Sequence, residues 1–176
     1  VMNQQREVIY EQRRFALEGG EDLKGEIWEM IQHAAEDTIE DLLPVELPPE
    51  QWDLAGLRRR LLLDHFVVVE ELPEENDPDH QVERHEVEEW VRTALRDAFH
   101  RKIETLGEHA ERVMSFIMLS VIDDKWKDHL YDLDHLKASI GFRGWGQKDP
   151  LIEYKKEAYD MFVGLMQDLR KTVGTF

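Results

Sequence analysis

"LSVIDDKWKDHLYDLDHLKASI", residues 119–140, carries apolar side chains at Leu119, Ile122, Trp126, Leu130, Leu133, Leu136 and Ile140. Successive members stand three or four positions apart, which puts them on one face of a helix with 3.6 residues per turn. The stripe predicts a helix from near Glu108 to Ile140. Downstream, Leu151, Tyr154, Ala158, Met161, Leu165, Leu169 and Val173 repeat the spacing. Neither helix buries its apolar face alone, so the ten-residue link "GFRGWGQKDP" (141–150) predicts that they fold back as an antiparallel hairpin. At about 1.5 Å per residue the hairpin is on the order of 35–45 Å long. Asp149 reads as the N-cap of the return helix and Pro150 as its first residue, where the missing N–H costs nothing.

Working toward the amino end, the apolar pattern is again helical. Val87, Trp90, Val91, Ala94, Leu95 and Ala98 mark an amphipathic helix to about Leu106, with Gly107 as its terminator. "PEENDPDH" (73–80) is a polar, turn-rich loop, and "FVVVEEL" (66–72) reads equally as a brief strand or a loop. Asp53 predicts the cap of a short helix with Leu54, Leu57 and Leu61 inward. "PVELPPE" (44–50) stops the element before it, because three prolines remove backbone donors. That element has Leu23, Ile27, Met30, Ile31, Ala34, Thr38 and Leu42 on one stripe, from Glu21 to about Leu43. Residues 1–18 form a further helix that ends at Gly19-Gly20. The fold class predicted is all-α.

Charge and composition narrow the function. Of 176 residues, 35% are charged against 41% hydrophobic, a balance of folded helical chains with large solvated faces rather than of disorder. There is no cysteine, which excludes disulfides and thiolate metal sites within the chain. The longest apolar run, "VMSFIMLSVI" (113–122), is far short of a membrane span, and the first residues have no signal-peptide core, so a soluble, cytosolic chain is expected. The net charge is −17, yet residues 112–171 hold ten acids and ten bases. The excess lies upstream: residues 64–90 contain eleven acids and one base, Arg84. Such a surface opposes phosphate binding, so no nucleic-acid partner is expected.

No catalytic constellation emerges. The glycines at 141, 144 and 146 follow no strand, and Lys148 is followed by Asp149 rather than Ser or Thr, so the loop is not a nucleotide cradle. His129, Asp132 and His135 recur every third residue, but no third strong ligand completes a metal set, and hydrogen bonding between helices is the simpler role. Ser115, Ser120 and Ser139 sit within helix patterns without a glycine elbow. Asp123, Asp124, Lys125, Lys127 and Asp128 read as solvated charges or ion pairs to neighbouring elements, and Trp126 and Tyr154 as core. Trp145 differs. It stands between glycines and between Arg143 and Lys148, either folded over the hairpin end or presented as a contact residue of the types that dominate binding hot spots.

These residues resemble the C-terminal helical region of the SecA family, the motor ATPases that drive preproteins through the bacterial SecY channel. "VMNQQREVIYEQRR" (1–14) is similar to the start of the family's scaffold helix, and "WDLAGL" (52–57) to the opening of its helical wing. "VIDDKWKDHLYDLDHLKASI" followed by "RGWGQKDPLIEYKKEAYDMF" resembles the two-helix finger, in register at Trp126, His129, Leu130, Asp134, Leu136, Arg143, Gly144 and Gln147 to Pro150. The tip departs from the family pattern: Gly141 and Phe142 stand where a His-Leu pair is common, and Trp145 where tyrosine is usual.

The resemblance implies a scaffold helix (about 1–43), a helical wing (44–107) and a two-helix finger (108–176) with its tip at 141–150. It implies a part of an ATP-driven translocase whose finger enters the cytoplasmic mouth of SecY and whose tip, Trp145 with Arg143, Lys148 and Phe142, contacts channel and preprotein. ATP and magnesium belong to motor lobes that this sequence lacks, so the chain is expected to bind no cofactor and no metal and to have no catalytic site of its own. The implied location is the cytoplasmic face of the membrane, through the channel and acidic lipid, and a scaffold deprived of its lobes is expected to self-associate. From the residues alone, a free-standing helical adaptor binding one protein partner through 141–150 remains the alternative, with a nucleic-acid hairpin placed last.

Overall fold

The structure, a computed structural model, describes residues 2–143 and 149–175, and of residues 141–143 the backbone alone. The helices are α1 (Met2–Glu18), α2 (Asp22–Leu42), α3 (Leu54–His65), α4 (Arg84–Leu106), α5 (Ala110–Arg143) and α6 (Pro150–Gly174), with short 3₁₀ turns at Pro49–Gln51 and Gly107–His109. No strand occurs among the described residues, so the all-α expectation holds and "FVVVEEL" resolves as loop.

The punctuation follows local chemistry. α1 ends where the Gly19 N–H bonds to Phe15 O at 2.7 Å and Gly20 takes φ 52°, a left-handed turn that costs glycine little. The stretch 1–43 is thus two helices in sequence. α3 begins at Asp53, whose Oδ1 accepts from the Gly56 N–H at 2.8 Å. Asp53→Ala should cost about 1 kcal/mol, read as a lower denaturant midpoint with an unchanged slope. α3 ends at Phe66 in a left-handed conformation (φ 55°). Gly107, at φ 54°, closes α4 as expected. Asp149 caps α6 by accepting from the Leu151 N–H at 2.9 Å, with Pro150 as the first helical residue.

Two cores result. In the first, Ile9, Leu23, Met118, Ile122, Leu165 and Leu169 bring together α1, α2, α5 and α6. In the second, α2 supplies Ala35 and Ile39, α3 supplies Leu57 and Leu61, and α4 supplies Val87 and Val91. The loop after α3 joins it by alternation, with Val67 and Val69 buried and Val68 exposed. Ile31 packs against both cores, so α2 is the shared beam. At its carboxyl end Arg84, the one base of the acidic stretch, donates to Leu43 O at 2.7 Å and pairs with Glu40 and Glu88. It thereby occupies a carbonyl that the helix end leaves without an internal partner. Trp52 Nε1 donates to Pro44 O and Leu47 O, at 3.2 and 3.1 Å, and fixes the proline turn.

α5 and α6 form the expected antiparallel hairpin, tied at Lys125 and Asp168 (2.6 Å). α1 lies antiparallel along α5: Arg13 pairs with Asp123 at 2.7 Å, and Ser115 Oγ donates to Ala16 O at 2.7 Å. α2 continues against the end of α6, where a Cβ on Gly174 would stand 3.1 Å from Met30 O and 3.3 Å from Ala34 Cβ. The absence of a side chain is what lets these two backbones approach.

Candidate functional site

The distal half of the hairpin combines a narrow interior with several exposed apolar side chains. Its interior is a narrow seam of Leu133, Leu136, Ile140 and Ala158, covered by Met2, Tyr154 and Met161. On its outside Tyr131, Leu151, Ile152 and Tyr159 are all more than half exposed. Tyr131 lies edge-on to His135 with ring centroids 4.5 Å apart. Such side chains stay in water only at a free-energy cost, and grouped on a protrusion they mark a contact surface.

The first turns of α1 hold this protrusion through a buried polar node. Gln5 Nε2 donates to Ala158 O of α6 at 3.1 Å, and Gln5 Oε1 lies 2.8 Å from His129 Nε2 of α5. A main-chain carbonyl only accepts, so the Gln5 amide has one possible orientation. Its oxygen faces the imidazole, and His129 must carry its proton on Nε2. Gln5 and His129 are 6% and 4% exposed, which makes water a poor substitute for either bond. Trp126 and Phe162 flank the imidazole at 5.5 and 5.7 Å. Burial lowers the His129 pKa below its ordinary value, and the Asp132 charge opposes this in part. The ring is therefore a neutral strut near pH 7.

This accounts for the histidine spacing noted in the sequence. His129 faces inward, Asp132 and His135 face solvent, and no group of three His, Asp or Glu side chains among the described residues is placed to hold a metal ion. Asp123 and Lys125 are ion-paired to α1 and α6, and Trp126 and Tyr154 are partly buried against cores. The sequence reading missed Gln5, although glutamine at 5 precedes the apolar Ile9 by four and so shares its face. Of the four proposed tip residues, Phe142 and Arg143 fall on the last turn of α5 with their side chains outside the described residues. Trp145 and Lys148 lie wholly outside them.

The architecture defines a class: a helical scaffold that carries one compact side lobe and one long two-helix protrusion. The chain belongs to the SecA wing and scaffold domain family, whose model matches residues 1–176. It is 38% identical over 175 residues to the protein translocase subunit SecA of Koribacter versatilis, covering 97% of this chain and 17% of that protein. With the corresponding subunit of Thermosynechococcus vestitus it shares 39% identity over 180 residues, 98% of this chain and 19% of the relative. The chain thus spans about a fifth of the length of these relatives. No helix among the described residues is long and apolar enough to cross a membrane.

Proposed function

We propose that the chain is the scaffold (about 1–43), wing (44–107) and finger (108–176) of an ATP-driven preprotein translocase, and that the finger tip at 141–150 contacts both the SecY channel and the moving polypeptide. The observation that carries this reading is the distal hairpin, a narrow seam with Tyr131, Leu151, Ile152 and Tyr159 exposed around it, in a chain that matches the SecA wing and scaffold family throughout. ATP and magnesium would bind in motor lobes of the same parent protein, and nucleotide-driven motion there would pass through α2 to α5. Trp145 would grip by flat apolar contact, with Arg143, Lys148 and Phe142 beside it. Such contact demands no particular substrate side chain, which suits a sequence-tolerant motor. Attachment to the inner face of the membrane would be peripheral, through the channel and acidic lipid.

The test is a photo-crosslinker at position 145 in the full-length motor during arrested translocation. Adducts to the preprotein and to the channel are expected. Crosslinks to neither, or to one unrelated protein alone, would replace this reading with that of an adaptor.

A further inference from the structure

α3 carries two apolar stripes where a helix on the surface of a lobe needs one. Leu54, Leu57 and Leu61 face the second core and are buried. Leu62, Leu63 and Phe66 form the other stripe, on the outer side with Arg59, and Val68 of the following loop joins them; these four apolar side chains are between 46% and 79% exposed. A helix that is apolar on both sides is one that is covered on both sides. Phe66 sharpens the point. At φ 55° it holds a left-handed conformation that glycine adopts freely and a bulky residue only under strain, and it also leaves its ring in water. Two local costs at one residue point to a contact that offsets them.

The charges around the stripe identify that contact. Arg58 Nη1 donates to Leu72 O at 3.1 Å, which folds residues 66–72 back beside α3. The outer face therefore has two neighbouring tracks, the helix from Arg59 to Phe66 and the loop from Val68 to Glu70 and Glu71. Both are apolar at the Phe66 end. At the opposite end the helix track carries a base and the loop track two acids. Arg59, Glu70 and Glu71 are exposed, and none has an ion-pair partner among the described residues. A two-fold axis along the face would lay each helix track on the loop track of a second copy. Apolar half then meets apolar half, and Arg59 meets Glu70 and Glu71 twice. Such a face is self-complementary, as an isologous contact requires.

We propose that this face pairs two copies of the chain, α3 of each lying on residues 66–72 of the other. The four apolar side chains expose on the order of 400 Å² per copy, about half of what a standard interface buries on each side. The contact thus belongs to the small, reversible class. The net charge of −17 works against it, which keeps the pairing weak and dependent on concentration. It places the self-association expected from the sequence on the side lobe rather than on the bare scaffold. Nothing in it depends on the finger tip or on the translocation reading.

Sedimentation equilibrium of the intact chain, over roughly 1 μM to 1 mM, tests it, and a monomer–dimer equilibrium is expected. Phe66→Gly is the sharpest variant, because glycine relieves the left-handed backbone. Its Tm at dilution should be equal or higher, while the dimer weakens at least roughly tenfold. Leu63→Asp should weaken it as much, and serves if Phe66→Gly does not fold by circular dichroism. Arg59→Glu should also weaken the dimer, and adding Glu70→Arg and Glu71→Arg should restore it. The chain has no cysteine, so thiol labelling of Leu63→Cys reports what covers the face. Labelling that slows as chain concentration rises supports the pairing. Labelling that is slow in the full-length motor at every concentration would assign the face to another lobe of the parent and overturn it. A chain that stays monomeric, a dimer unchanged by a folded Phe66→Gly or Leu63→Asp, or a charge-reversed triple variant no tighter than Arg59→Glu would overturn it as well.

Discussion

Ile122→Ala should lower stability by about 3 kcal/mol, whereas Phe116→Ala, two turns earlier on the same helix, should change it by less than about 0.5 kcal/mol. Ile122 is fully buried where α1, α2, α5 and α6 converge, while Phe116, the larger side chain, is 71% exposed. Truncation at 122 removes apolar area from the interior and leaves a void that rigid helix backbones cannot collapse around. For a chain of this size such a loss corresponds to on the order of 10 °C in Tm. It is also a large share of the roughly 5–15 kcal/mol that separates a typical folded domain from its unfolded state. Denaturant midpoints of the two variants check the contrast. Equal effects would mean that Phe116 is covered, through self-association or by a partner surface, and the concentration dependence of the Phe116→Ala midpoint would show which.

The contrast between these residues also shows what the sequence could and could not reveal. Spacings of three and four identified each helix, and glycine, proline and Asp caps marked nearly every boundary, because those signals are local. The stripe through Leu119, Ile122 and Trp126 was visible for the same reason. Met114, Met118 and Val121 were not on it, yet all three are buried. In its first half α5 is enclosed by α1, α2, α4 and α6 and buries a wide arc, and only beyond Trp126 does it narrow to a single seam. How many neighbours a helix has is a tertiary fact that periodicity along one chain does not carry.

Phe66 makes the same point from the opposite direction. A phenylalanine at φ 55° with 79% of its surface exposed follows no propensity rule, and the valine-rich stretch it opens reads as strand or loop with equal ease. The structure decides for loop because Val67, Val69 and Leu72 are drawn into the second core without a partner strand. Of the candidate tip, Asp149 and Pro150 behave as their chemistry dictates, since a cap needs only its own first turn. The polar node was hidden for a different reason. Gln5 and His129 are 124 positions apart, and only the antiparallel docking of α1 on α5 makes them partners.

Gln5→Leu should therefore release α1 from the hairpin at a cost of about 1–3 kcal/mol, because it leaves the His129 Nε2–H buried without an acceptor. The loss should be local: amide exchange should quicken over residues 2–9 and at the distal ends of α5 and α6, and far less in α3 and α4. Gln5→Leu with His129→Leu should cost less than the sum of the two single changes, since removing both partners leaves no unpaired donor. Acid supplies a second readout. The folded-state pKa of His129 is depressed by burial, so the unfolded chain takes up a proton first as pH falls below the ordinary histidine value of about 6.5. Stability is then fully present above that pH and declines as pH falls toward the depressed folded value, below which it levels off. His65, also lowered by burial, acts in the same direction. His129→Leu should thus flatten, without abolishing, the fall in stability below pH 6.5, and His65→Leu should remove a further part. If Gln5→Leu left exchange in α1 unchanged, or His129→Leu left the acid slope intact, the node would not be what fastens the protrusion to its scaffold.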